Sequence, residues 1–210
     1  HNGSFAGNSD RHASTTYYLN IDGATWDLGS STVSYTASNT GLHINVLAGG
    51  VVFEPSEGVV WTIAPLALPA VYEGPVLVKG AGTVDLNGAT VENAKIGGTG
   101  VLRNVALAGT KLTVCADVEA AGTLTLGENV TCSATKGCVD FGRTEADPLP
   151  YKDLSYPLAV LNAGPVAIPG AASWRVANTG VRGLKGSFAA DSGILSLTGL
   201  DVTGLMLIFR

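Results

Sequence analysis

Charge is scarce in this chain, and its basic residues are scattered. Asp, Glu, Lys and Arg make up 14% of its 210 residues, and no run of Lys or Arg occurs. With a net charge of -5 and its 12 basic residues scattered along the sequence, the chain gives no sign of the basic face that displaces counterions from nucleic acid, so no nucleic-acid partner is expected. Aromatics are few at 7%. No apolar run is long enough to span a bilayer, Leu205–Phe209 being only strand-length, so no membrane insertion is expected within this segment. The only Met is Met206, no signal peptide opens the chain, and a start at His1 predicts a processed or truncated product. Three Cys allow at most one disulfide. None lies in a C-x-x-C, and the three His (His1, His12 and His43) are all N-terminal, so no metal or other cofactor is expected. The thiols read as small buried hydrophobes.

Glycine and small apolar residues are abundant instead: 28 Gly, and 46% apolar residues dominated by Val, Leu and Ala. Low charge combined with this apolar content excludes disorder and suits many short strands joined by glycine turns. Residues 1–16 are small and polar and read as a disordered N-terminal segment. Residues 17–72 read as an N-terminal β layer, with strands at Tyr17–Ile21, Thr25–Leu28, Thr32–Thr36, Leu42–Leu47, Val51–Glu54 and Val59–Ile63. The segment from His43 to Glu54 predicts a hairpin turning at Gly49-Gly50. The proline-rich run from Ala64 to Pro75 predicts a connector.

The stretch from Glu73 to Phe141 carries a repeated small-Gly-Thr start. It occurs at Ala81-Gly82-Thr83, Gly97-Gly98-Thr99, Ala108-Gly109-Thr110 and Ala121-Gly122-Thr123. An alternating apolar piece follows each, at uneven intervals. Short strands with irregular corners predict a β-solenoid, in which each coil exposes an apolar row that only the next coil covers. Asn87-Gly88 and Asn104 fall where left-handed corners are needed. An antiparallel sandwich, with Asn87-Gly88 as a type I′ turn, is the competing reading. The fold expected is all-β: a right-handed parallel β-helix-like solenoid core at 73–143 with flanking antiparallel strands. A charged, proline-bearing linker follows at 144–157 and a C-terminal antiparallel closure at 158–210, where Asp191-Ser192-Gly193 marks a hairpin.

Two stretches, Ser173–Arg210 and the glycine-rich Gly82–Gly109, resemble secreted autotransporter-like (passenger-type) β-helix repeat proteins of bacteria, over about residues 74–210. The first has a Trp strand, a Gly-Lys turn, a two-stranded piece and a terminal apolar strand ending in Arg. The resemblance implies an extracellular or cell-surface location and no shared catalytic residues. The C-terminal membrane barrel that anchors such systems is absent from this sequence.

Chemistry is harder to find. Among the carboxylates Asp85, Glu92, Asp117, Glu119, Glu128 and Asp140, only Asp117 and Glu119 alternate as if to share one strand face. A glycosidase needs two carboxylates flanking the bond, and a β-helical lyase a basic proton abstractor beside an acidic cluster. No Asp-Asp pair, Gly-His-Gly, Arg-x-Lys or Gly-x-Ser-x-Gly occurs. His43 reads as an outward strand residue rather than a base. Asn2-Gly3-Ser4 and Asn129-Val130-Thr131 fit the glycosylation sequon. The aromatics gather in the first third, and Trp61, Tyr72, Tyr17 and Tyr18 form the candidate carbohydrate platform, with core packing as the competing role. The expected function is therefore a structural or adhesive surface protein whose partners would be host or cell-wall glycans. A carbohydrate-binding module is the first alternative and a β-helical polysaccharide lyase or glycoside hydrolase the second.

Overall fold

The structure, a computed structural model, describes residues 17–26, 33–35, 42–63 and 72–203. Strands dominate, and among the described residues the one helical piece is a 3-10 turn at Ala171–Ser173. The strands are β1 (Tyr17–Ile21), β2 (Ala24–Trp26), β3 (Val33–Tyr35), β4 (Leu42–Val46), β5 (Val51–Phe53) and β6 (Val60–Ile63). There follow β7 (Val76–Val78), β8 (Thr83–Glu92), β9 (Lys95–Gly98), β10 (Val101–Ala108), β11 (Lys111–Cys115) and β12 (Thr125–Leu126). The series ends with β13 (Val130–Cys132), β14 (Lys136–Arg143), β15 (Leu158–Asn162), β16 (Trp174–Thr179), β17 (Leu184–Asp191) and β18 (Ile194–Val202).

The fold is all-β, with parallel and mixed sheets. One sheet has the order β16-β14-β11-β9-β7-β5-β2 and is parallel throughout. Besides a two-stranded parallel sheet of β1 and β4, a second large sheet runs β17-β18-β15-β12-β10-β8-β6-β3, with β13 also on β10, and is parallel except at its β15-β18-β17 end. From β5 to β16 the chain shuttles between the two sheets, laying each strand beside the one from the preceding pass. Parallel neighbours cannot be joined by tight hairpins, and here a strand of the other sheet lies between each pair in the chain.

In-register stacking builds the core. Val51 lies opposite Val76, Val76 opposite Ile96, Ile96 opposite Val114, Val114 opposite Val139, and Val139 opposite Val176. These partners are 25, 20, 18, 25 and 37 residues apart, so pass length varies while the apolar column does not. On the other sheet Trp61, Val84, Leu102 and Leu126 form a second buried column. Period-2 alternation puts these residues inside, and each fully buried side chain of this size contributes about 1.5–3 kcal/mol. All but Val176 belong to a single buried core cluster, and the partly buried Val176 packs against it.

Left-handed residues make the corners. Gly88, Asn104 and Asn129 all have positive φ. Each directly precedes a member of the registered column Ala89–Val105–Val130, so one corner geometry recurs on three passes. Asn tolerates this region better than other side chains, as expected at Asn87-Gly88 and Asn104.

Parallel pairing is continuous along the two large sheets. Parallel pairing crosses residue 72, through β5–β7 and β6–β8, and crosses residue 158, through β14–β16. The expected hairpin at Gly49-Gly50 does not form, because β4 pairs with β1 and β5 with β2 and β7, all in parallel. Gly50 (φ 76) instead turns the chain out of one ladder and into another. The hairpin at Asp191-Ser192-Gly193 does form: β17 and β18 pair antiparallel around Ser192 (φ 49) and Gly193 (φ 80), the positive pair a type I′ turn requires. Residues 144–157 form an excursion tied back by the buried Leu149, whose N–H donates to the Thr179 carbonyl at 2.8 Å, while a Thr144–Asp147 bridge closes a turn within it.

At Gly137 the last parallel pass comes closest. A Cβ there would fall onto the Trp174 indole, so only glycine lets that fully buried ring lie flat on β14. Gly137→Ala is expected to lower stability by about 1–3 kcal/mol through overpacking. Leu112→Ala, which empties a fully buried position, should cost about 2–5 kcal/mol. Guanidinium midpoints for the two variants check both values.

Candidate functional site

The aromatic candidates do not assemble into one exposed surface. Trp61 has no solvent exposure; it stacks over Val84, and its indole N–H finds no acceptor among the described residues. Its position is that of core packing. Tyr72 is half-buried, bridged to Val46, and burial pushes its phenol up to about 12. Tyr17 and Tyr18 lie on β1 opposite Leu42 and His43 of β4, and their side chains lie outside the described residues.

The carboxylate candidates are likewise separate. Asp117 and Glu119 do not share a strand face, because β11 ends at Cys115 and both lie in the exposed turn that follows. Asp117 Oδ1 accepts the Glu119 backbone N–H at 3.0 Å, which fixes the turn. Glu119 is held by Arg143 at 2.7 Å, and Arg143 also reaches Asp147 at 2.8 Å, an arrangement that pushes the guanidinium pKa further up. Asp117 borders a small recess of about 30 Å³, space for one water and not for a sugar.

The best-built polar feature is one that the sequence shows only as scattered Asn residues. Asp85, only 5% exposed, sits at the bend of β8. Its Oδ2 accepts from Arg103 Nε at 2.9 Å and from Asn104 Nδ2 at 2.7 Å, while Oδ1 accepts the Asn87 backbone N–H at 2.8 Å. Asn104 Oδ1 in turn accepts from Asn129 Nδ2 at 2.8 Å. A relay thus runs from a buried carboxylate across three passes to the surface, and charge-assisted bonds at its inner end make it rigid. Stacked corners position it: Asn104 and Asn129 occupy the same left-handed site on consecutive passes. The signal available in the sequence was Asn87 and Asn104 as corner residues, but their link to Asp85 depends on register.

Beside this relay lies an open hollow of about 360 Å³, lined by Asn87, Gly88, Asn104, Val105, Ala106, Asn129 and Thr131. Its walls offer amides and a hydroxyl but no ionised side chain and no aromatic ring. Such a surface can hydrogen-bond a neutral polar group, and no general acid, base or nucleophile lines it.

Cys115, Cys132 and Cys138 are all free. Burial, reinforced by the neighbouring Asp140 charge, pushes the Cys115 thiol up to about 11, and burial also raises Cys132 and Cys138. Buried thiols of this kind are poor nucleophiles at neutral pH. Among the described residues no cluster of His, Cys, Asp or Glu is arranged to hold a metal, and no helix is long and apolar enough to cross a membrane.

Comparison with known proteins is silent: no family model, no curated protein and no solved structure matches this chain.

Asn104→Ala removes two relay bonds, leaves the buried Asp85 carboxylate with only Arg103 and the Asn87 N–H, and places a Cβ at positive φ without compensation. Asn104→Gly loses the same bonds but keeps the favoured backbone. Both should destabilise, Ala by about 1 kcal/mol more than Gly, as read from urea unfolding. Cys115 gives a pH test. Its pKa is raised from 9.0 to about 11 in the folded state, so its contribution is intact below pH 9 and is lost as pH rises toward 11. The unfolding midpoint of Cys115→Ser, measured at pH 8 and pH 11, should fall less than that of the parent chain.

Proposed function

We propose that the parallel stack is a right-handed β-helix-like solenoid, and that the protein is a secreted or cell-surface adhesive element presenting an extended outer surface to glycans. The observation that carries this reading is the unbroken in-register parallel pairing from β2 to β16, which fixes a long face with outward side chains at regular spacing. Each coil covers the apolar row of the one before it, and the antiparallel β15-β18-β17 unit covers the last, with Leu195 and Leu197 fully buried. The texture shared with autotransporter-like passenger proteins agrees with an extracellular setting. The dispersed carboxylates favour adhesion over a lyase or glycosidase, since neither carboxylate pairing nor a base-lined groove is present among the described residues.

Glycan recognition need not use Trp61. The neutral hollow at Asn87, Asn104 and Asn129 supports the related reading of a carbohydrate-binding module, with amides and the Thr131 hydroxyl meeting sugar hydroxyls.

A glycan array probed with the folded chain is expected to show binding, with no release of reducing or unsaturated ends from the polysaccharides bound. A blank array overturns the adhesive reading. Release of such ends, abolished by Asp117→Ala, overturns it in favour of catalysis.

A further inference from the structure

The outer face of the seven-stranded sheet collects cations that the sequence scatters. Alternation sends Leu112, Val114, Val139 and Trp174 inward, and sends Lys95, Lys111, Lys136 and Arg175 outward on β9, β11, β14 and β16, where all four are exposed. Register brings them together: Lys95 pairs with Thr113, Thr113 with Cys138, and Cys138 with Arg175, while Lys111 pairs directly with Lys136. At about 4.8 Å between strands, the four charges span about 14 Å along the stack. A third of the 12 basic residues of a chain with net charge -5 therefore share one face.

These cations are not neutralised. Among the described residues Arg103, Arg143 and Arg182 each form an ion pair, whereas none of these four reaches a carboxylate. Lys95 Nζ donates to the Glu73 carbonyl at 3.2 Å, and Arg175 Nη1 donates to the carbonyls of Ala172 and Trp174 at 2.8 and 2.6 Å. Among the described strand residues the carboxylate sharing this face is Asp140, which is engaged by Asn178 Nδ2 at 2.7 Å and the Gly142 N–H at 2.9 Å. Like charges directly opposite each other destabilise a sheet, so the Lys111–Lys136 pair works against the fold unless an anion relieves it.

We propose that this basic stripe is the docking site for a linear acidic polysaccharide, whose carboxylate or sulfate groups lie along the coils over Lys95, Lys111, Lys136 and Arg175. Beneath the charges Thr113 and Cys138 form a nearly closed, neutral floor (4% and 5% exposed). The outward positions between them, Thr113, Cys115, Cys138 and Ala177, carry no aromatic ring, so nucleic-acid bases would find nothing to stack on. The inference rests on the adhesive reading and names its partner class.

The test is titration calorimetry with polygalacturonate, dextran sulfate and neutral dextran at low ionic strength. Binding is expected to both polyanions, falling with salt, and not to dextran. Lys111→Gln/Lys136→Gln should weaken it about tenfold and flatten its salt dependence, as two counterion-releasing contacts are removed. The same double variant should unfold no more readily than the parent, because a repulsive pair is relieved. Arg182→Gln/Lys185→Gln, off this face, should leave binding unchanged. Equal loss in the off-face variant, no loss in the Lys111/Lys136 variant, or equally tight binding of single-stranded DNA overturns the stripe. Neutral glycans bound independently of Lys111 and Lys136 keep adhesion and sink the stripe, whereas no glycan bound at all sinks both.

Discussion

Everything in this molecule depends on parallel strands staying in register from one pass to the next. A parallel ladder holds its hydrogen bonds evenly only when neighbouring strands advance together, and a one-residue slip would turn every apolar column outward. The column from Val51 to Val176 and the column from Trp61 to Leu126 are two expressions of that requirement. The corners serve it as well. By repeating a left-handed residue just before Ala89, Val105 and Val130, the chain restarts each strand in phase, whatever length of excursion preceded it.

The same constraint builds the polar features. Asp85 is not near Asn129 in sequence, yet stacking makes them the two ends of a single relay. Lys111 and Lys136 are likewise brought side by side because Leu112 and Gly137 must face the core together. Outward chemistry here is a by-product of inward packing, which gives the outer face regular spacing without any local motif.

That is also why the sequence revealed some levels and hid others. Alternation and turn residues are local, so strand positions, the positive-φ corners at Asn87, Gly88 and Asn104, and the Ser192-Gly193 hairpin could all be read directly. Pairing is not local. Gly49-Gly50 has the composition of a hairpin, and nothing nearby in the chain says that β5 belongs with β7 instead of β4. Proline and charge concentrate between residues 144 and 157, yet β14 still pairs with β16 across that interruption. Trp61 was an aromatic in a strand with two possible orientations, and only its column partners fix it inside. The Asp85 relay and the cationic face were invisible because each needs partners about 18 to 40 residues apart to be placed side by side.

Stacking also sets how the molecule bears load. Its inter-strand hydrogen bonds run close to the stacking direction, so tension applied from one end of the stack to the other pulls them apart head-on instead of shearing them. Resistance to such a pull is decided interface by interface, and these are unequal: β11 and β14 share five register pairs, while β12 and β15 share one. The gap between those two passes is a built-in asymmetry, firmly seamed on one sheet and lightly seamed on the other. Under tension it would gape on the lightly seamed side first, leaving the face that carries Lys111 and Lys136 joined.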